Sequence, residues 1–369
     1  MYSDFKVFRL LGLIALIGTS QIFGNLRYKE VCFTSILTQA DLHYRTEKDY
    51  LSKDDSLFMD FYEPENDTAS LRPVIVMLYG GAFLTGSRKD TLITTYSSYF
   101  ASCGYAVFAI DYRIGFNPIS ATPQLELVKA LYRAVQDSRA AIRFIRKNAA
   151  IFKIDTSRIF AMGYSAGAIT IIHHAYLDQE EASQNPLLNP VLSSLGNLDQ
   201  GNDLEYSSKI DCIINCCGAI ADTSFMGPGE TPVLSFHGTD DKIVPYGTGY
   251  AFDDPSTVAL FGSFTIDQKA KALGIPSKLV TFEGADHYLE GEPRITIPIT
   301  TTNFLYDFMN GSNIRLKRPS KSTRIASHVV IDQYFDLSGR LIKNRSIKPS
   351  ALIVHRAHNQ DSKTLLMIK

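Results

Sequence analysis

An α/β fold, built on a largely parallel sheet covered by helices on both faces, is what the amino-acid sequence predicts, and two observations carry that prediction. Between about Ser56 and Asn310 short runs rich in β-formers alternate with longer segments of helical periodicity. Several short runs, among them Val74-Ile-Val-Met-Leu78 and Ala106-Val-Phe-Ala-Ile110, are continuously apolar, the pattern of strands buried on both faces. The 369 residues, 45% hydrophobic and 20% charged, supply one large domain and a small one, and exclude intrinsic disorder and collagen-like repetition. A net charge of -1 argues against a nucleic-acid binder relying on bulk positive charge. The charge is unevenly spread: after Asn313 basic side chains far outnumber the acidic Asp332, Asp336 and Asp361, which sets the tail apart.

Taken in order, the chain opens with Lys6 and Arg9 before an apolar run, Leu10 to Ile17, too short for a comfortable membrane span. Basic flank, apolar core and the small residues Gly18 and Ser20 follow in the order of a signal peptide over residues 1–20, with Gln21 as mature start and Gly24 as a rival end point. A buried N-terminal helix is the alternative. No second segment approaches spanning length, so no stable membrane span is expected. Ser56-Leu-Phe-Met-Asp-Phe-Tyr62 alternates like a strand exposed on one face, while residues 125–151 carry apolar positions at helical spacing. Residues 158–162, 232–236 and 278–282 read as further strands, and a helix containing Ile171 and Ile172 begins just after Ser165. Residues 178–208, rich in Asn, Gln, Ser, Pro and Gly, interrupt the rhythm. They read as an excursion over the top of the sheet, either a lid or binding loop or a poorly ordered surface insertion. Of five cysteines, Cys212, Cys216 and Cys217 lie in a run resembling a buried strand, where cysteine acts as a small hydrophobe; with Cys32 and Cys103 they form no metal-ligand pattern.

The strongest chemical signal is Gly163-Tyr164-Ser165-Ala166-Gly167, placed directly after a buried strand and before a helix. A strand turning sharply into a helix needs flanks without bulky side chains, pushes the central hydroxyl above the sheet, and offers helix N-terminal N–H groups to an anion. A serine nucleophile needs a base, itself oriented by a carboxylate. Downstream, His237-Gly-Thr-Asp-Asp-Lys-Ile-Val-Pro245 offers Asp240 and Asp241 at a strand's C-terminal edge, and Glu283-Gly-Ala-Asp-His287 follows another strand. The order Ser, Asp, His, each after a strand, suits a serine hydrolase. His173 and His174 sit inside the helix after Ser165 and read as packing or surface residues, and His237 as a structural residue at its strand end. Tyr79-Gly-Gly-Ala-Phe83 can bring main-chain N–H groups close to a bound oxygen, where they act with the N–H of Ala166.

Residues from about Ser56 to Asn310 resemble the esterase and lipase branch of the α/β-hydrolase superfamily. The matching pieces are Tyr79-Gly-Gly-Ala-Phe83, Asp111-Tyr-Arg113, the elbow around Ser165, the stretch His237 to Pro245, and Gly284-Ala-Asp-His287. The resemblance implies a catalytic domain over residues 21–310 with Ser165 as nucleophile and His287 as base. The family spacing selects Asp241 over Asp240 as the acid, and the oxyanion donors fall on the N–H groups of Gly81, Ala82 and Ala166. The family often has His at Tyr79 and Gly at Ala82; both variants keep the backbone N–H groups.

Residues 311–327 read as a basic linker. Short β-rich runs follow at 329–331, 333–336, 340–342 and 351–355, separated by turn formers. Asp332-Gln-Tyr-Phe-Asp-Leu-Ser-Gly-Arg-Leu341 and the last segments, to Lys369, resemble the C-terminal sorting domain of the Bacteroidetes type IX secretion system, which implies a small all-β module over residues 328–369. A carbohydrate-binding or adhesive β module is the rival.

The expected protein is a secreted or cell-surface serine hydrolase, exported through the periplasm with the type IX machinery as partner. It cleaves carboxylic esters through an acyl-enzyme, with no metal or organic cofactor. Esters on polysaccharides, acetyl or feruloyl, are the expected substrates, and residues 178–208 and 246–263 the expected pocket lining. A lipase or peptidase of the same fold, or a binding protein that kept the fold without catalysis, are the alternatives.

Overall fold

The computed structural model of the protein describes residues 27–311 and three strand segments beyond them, 333–335, 353–359 and 362–368. The expected signal peptide, the expected linker from residue 312 on, and the strands expected at 329–331 and 340–342 lie outside the described residues.

Eight strands form the central sheet: β1 (Ile36–Lys48), β2 (Asp54–Pro64), β3 (Arg72–Leu78), β4 (Ala106–Ile110), β5 (Ile154–Tyr164), β6 (Cys212–Cys216), β8 (Val233–Gly238) and β11 (Ser277–Phe282). Their order is β1-β2-β4-β3-β5-β6-β8-β11; β1 and β2 run antiparallel to their neighbours and every other pairing is parallel. Every residue of β3 and β4 is buried, so both faces of the sheet are covered, as their continuous apolar runs require. The covering helices are α1 (Thr91–Ser102), α2 (Pro123–Lys147), the short α3 (Ala149–Phe152), α4 (Ala166–Tyr176), α5 (Gln179–Gln184), α6 (Asn189–Leu195), α7 (Ser263–Leu273) and α8 (Glu292–Met309). A small antiparallel sheet joins β7 (Ala219–Ile220), β10 (Ala259–Gly262) and β9 (Thr248–Tyr250). In the tail, β12 (Gln333–Phe335), β13 (Ile353–Asn359) and β14 (Ser362–Ile368) pair antiparallel in that order. Among the described residues no helix is long and apolar enough to cross a membrane.

Two expectations need correcting. The alternation in β2 does not leave one face in water, because Asp60 is buried: its Oδ1 accepts from Arg88 Nε at 2.9 Å and from the Asp41 N–H at 2.8 Å. Paired burial of this kind looks like surface polarity in a sequence. Residues 178–208, in turn, do not pass over the top of the sheet. They connect the C-terminus of α4, an eleven-residue helix that has run back from the Ser165 edge, to the start of β6 at the opposite edge. There Asp199 accepts from Arg139 (2.6 Å) and Arg143 (2.9 Å) of α2, and Gln136 Nε2 donates to Leu195 O and Asn197 O. The segment is strapped along α2.

His173 and His174 are packing residues. His173 Nδ1 faces Ile169 O at 2.8 Å while its Nε2 accepts from the Ala221 N–H; His174 Nε2 faces Ser208 O at 2.7 Å and its Nδ1 faces Ser138 Oγ. Burial lowers both, to about 4 and about 3. The unfolded chain therefore binds more protons once the pH drops below the ordinary histidine value, so stability present above about pH 6.5 is lost as pH falls toward 4 and then 3. In thermal unfolding measured from pH 7 to pH 4, His174→Gln, which keeps a donor toward Ser208, is expected to lose about 2–3 kcal/mol less than the parent. Equal losses would remove this histidine from the account.

Candidate active site

Between β5 and α4 the turn is a single residue, Ser165, held at φ 53° and ψ −118°. Such a conformation persists only where the surroundings over-determine it. A Cβ on Gly163 would lie 2.3 Å from the Gly167 carbonyl, and one on Gly167 would lie 2.5 Å from the carbonyl oxygens of Leu78 and Tyr79, so the two flanking glycines are set by contact with each other and with the end of β3. The Ser165 N–H donates to Cys216 O at 2.8 Å, tying the turn to the neighbouring strand.

Two other loops at this edge meet the hydroxyl. His287, after β11, faces Ser165 Oγ through Nε2 at 2.8 Å and Asp241 Oδ2 through Nδ1 at 2.6 Å. Asp241, in the loop after β8, is buried, and its Oδ1 accepts the N–H groups of Ile243 (2.8 Å) and Val244 (2.9 Å). Burial alone would raise its carboxyl, but hydrogen bonds from His237 and His287 and the backbone donors hold it far below the usual carboxylate range. Asp240 is exposed; its carboxylate lies 3.5 Å from Thr239 Oγ1. The structure thus brings Ser165, His287 and Asp241 into one hydrogen-bonded row and leaves Asp240 outside it.

The loop after β3 packs on the same serine, for a Cβ on Gly80 would stand 3.1 Å from Ser165 Cβ. Gly81, Ala82 and Phe83 all have positive φ, 118°, 54° and 61°, and the Leu84 and Thr85 N–H groups close the turn onto Gly81 O. Ala82 therefore holds a conformation that glycine adopts more easily. Among the described residues the N–H groups of Gly81, Ala82 and Ala166 meet no acceptor. Tyr79 anchors the loop: its ring stacks on Tyr112 at 4.4 Å, and Tyr112 Oη donates to Tyr79 O at 2.7 Å.

Several participants were not singled out by sequence reasoning. Tyr164 Oη donates to His287 O at 2.5 Å and steadies the histidine loop, although the elbow pattern leaves its position unspecified. Cys217, read only as packing, has its thiol beside the Asp241 carboxylate and is pushed well up by burial and that charge. Potential metal-ligand atoms of Cys217, Asp241 and His287 fall within 4.8 Å of one another, yet two of the three, Asp241 and His287, are already joined by a 2.6 Å hydrogen bond. Residues 246–263 do border the site edge: Phe252 N–H donates to Ile243 O beside Asp241, and Gln124, at the start of α2, donates to Ser256 O and Thr257 O.

A protein-family model, BD-FAE, matches residues 59–221. Neuroligin-like protein glit-1 of Caenorhabditis elegans is 28% identical over 163 residues, 44% of this chain and 20% of the relative. Gut esterase 1 of the same organism is 29% identical over 179 residues, 47% of this chain and 31% of the relative. The chain thus spans less than a third of the length of these curated relatives. Thermogutta terrifontis esterase 2, in a form phosphoramylated by tabun, superposes with a TM-score of 0.54 at 20% identity, covering 76% of this chain and 97% of that one. A butyrate-bound form of the same esterase gives 0.52 at 20% identity, covering 74% and 96%. The chain has the α/β-hydrolase fold.

Proposed function

We propose that the protein is a serine hydrolase that cleaves carboxylic esters through an acyl-enzyme. The observation that carries this reading is the row Ser165 Oγ, His287 Nε2, His287 Nδ1 and Asp241 Oδ2, closed by contacts of 2.8 and 2.6 Å at the strand edge where the strained turn presents the hydroxyl to the imidazole. His287 Nε2 takes the Ser165 proton as Oγ attacks the ester carbonyl, and Asp241 stabilises the imidazolium that forms. The N–H groups of Gly81, Ala82 and Ala166 receive the oxyanion of the tetrahedral intermediate. Collapse expels the alcohol, protonated by His287; a water activated by the same imidazole then releases the acid and restores Ser165.

For the substrate, the reading is a short or aromatic acyl group on a polysaccharide fragment, released outside the cell by a protein exported and sorted through its C-terminal module. The signal-peptide pattern, the tail's resemblance to a sorting domain and the butyrate held by a protein of the same fold support it. A fluorophosphonate probe tests the chemistry: the expected product is a single adduct on Ser165. A folded protein that takes no label favours the binding-protein reading, toward which the neuroligin-like relative points. Assays on acetylated xylan, feruloyl esters and triglycerides test the substrate class, and turnover of triglycerides alone overturns the carbohydrate assignment.

A further inference from the structure

Asp241 receives two imidazoles. Besides His287, His237 at the end of β8 places Nε2 3.1 Å from Asp241 Oδ2 and 3.0 Å from Val244 O. Both neighbours are acceptors, so Nε2 carries the hydrogen. On the other side Nδ1 lies 2.7 Å from Ser263 Oγ, which accepts from Asn215 Nδ2 at 2.9 Å; with the ring hydrogen on Nε2, Nδ1 of a neutral ring is the acceptor for that hydroxyl's hydrogen. Were His237 protonated, that hydroxyl would have to donate to Gly218 O at 3.5 Å, a poor bond. The surroundings therefore favour a neutral ring in the Nε2–H tautomer. Ser263, His237 and Asp241 repeat the chemistry of Ser165, His287 and Asp241 on the far side of one carboxylate oxygen, but Ser263 and His237 are both 0% exposed and meet no substrate.

We propose that His237 is a positioning residue for the ester hydrolysis argued above, its Nε2–H holding Asp241 Oδ2 in the place where that oxygen receives the proton of His287 Nδ1. With Oδ1 fixed by two backbone N–H groups and Oδ2 by His237, the carboxylate cannot rotate, and His287 is aimed at Ser165. The same donor weakens the carboxylate as a base, so removing it should strengthen the grip on the His287 proton and move the acidic limb of the rate profile upward. The other titratable groups packed on this assembly are Cys217 on Asp241, Tyr246 against His237 (5.8 Å), and Tyr164 and Tyr288 against His287 (each 5.9 Å). Asp240, Lys242 and Asp286 adjoin it in sequence with exposed side chains. None of these changes in the variants below.

The test sets His237→Asn against His237→Gln. Asparagine reaches the Nδ1 position, keeping Ser263 and losing Asp241, whereas glutamine carries an N–H to the Nε2 position. Expected for the asparagine variant are a kcat lowered about tenfold with KM within twofold, and an acidic limb of kcat/KM moved up by about half a pH unit. The glutamine variant should stay within about threefold of the parent with its limb unmoved. Two folded variants that both match the parent in rate and profile, or a glutamine variant as impaired as the asparagine one, overturn the proposal. Nitrogen NMR of the parent enzyme gives a readout that needs neither variant nor activity: the proposal requires a neutral His237 with its hydrogen on Nε2, and a charged ring or an Nδ1–H tautomer overturns it. Failure of the esterase reading would be seen separately, as a parent protein that turns over no ester and takes no fluorophosphonate.

Discussion

Replacing Ser165 by alanine is expected to lower kcat for a short-chain nitrophenyl ester by roughly four to six orders of magnitude while leaving the fold intact. The expectation rests on the lack of a substitute nucleophile. The other hydroxyls of this neighbourhood are spoken for: Ser263 is 0% exposed and faces His237, and Tyr164 Oη donates to His287 O. What survives is attack by water assisted by His287 and the oxyanion donors, which accounts for a residual rate rather than none. Alanine at 165 inherits the φ of 53° that serine already bears, and the backbone bond to Cys216 O is untouched, so circular dichroism should not change. Turnover at the parental rate would refute the nucleophile assignment outright.

The elements that set Ser165 in place were legible because local pattern and tertiary environment agree there. β3 and β4 are buried on both faces and read as unbroken apolar runs, and the elbow's two glycines are required by contacts of their own backbones. Elsewhere the two diverge. β1 escaped detection because its register breaks between Gln39 and Leu42 and again between His43 and Arg45, with Asp41 at φ 58°, so no alternation survives along a mostly exposed strand. The helix α1, Thr-Leu-Ile-Thr-Thr-Tyr-Ser-Ser-Tyr-Phe-Ala-Ser, lacks charges and has only Leu92 and Ala101 as strong helix formers, and α8 carries Pro298 in its interior; packing overrides propensity in both. Residues 178–208 were misplaced because charge pairs from Arg139 and Arg143 to Asp199 decide their course, and such pairs have no signature in spacing. His237 was read as structural at its strand end, yet its bond to Asp241 makes that structural position part of the site's geometry.

Asp241→Asn is expected to lower kcat by about four orders of magnitude, and Asp240→Asn by no more than a few-fold. The larger figure follows from the number of donors that converge on Asp241. Its Oδ1 accepts two backbone N–H groups and its Oδ2 accepts from His287 and His237, so all four partners are donors. An asparagine has one oxygen and one NH2 group; in either orientation the NH2 confronts two N–H groups with nothing to accept them. If it faces the amides, the loop from Asp241 to Val244 must open. If it faces the imidazoles, His287 must move its proton to Nε2, the tautomer that cannot take a proton from Ser165. Asp240 faces no such demand, since its side chain is exposed and its nearest polar partner is Thr239 Oγ1 at 3.5 Å. Steady-state kinetics on the two purified variants distinguish the residues: a crippled Asp240→Asn beside an active Asp241→Asn would shift the acid by one position, and with it the claim that the carboxylate shared by His237 and His287 is the one that orients the base.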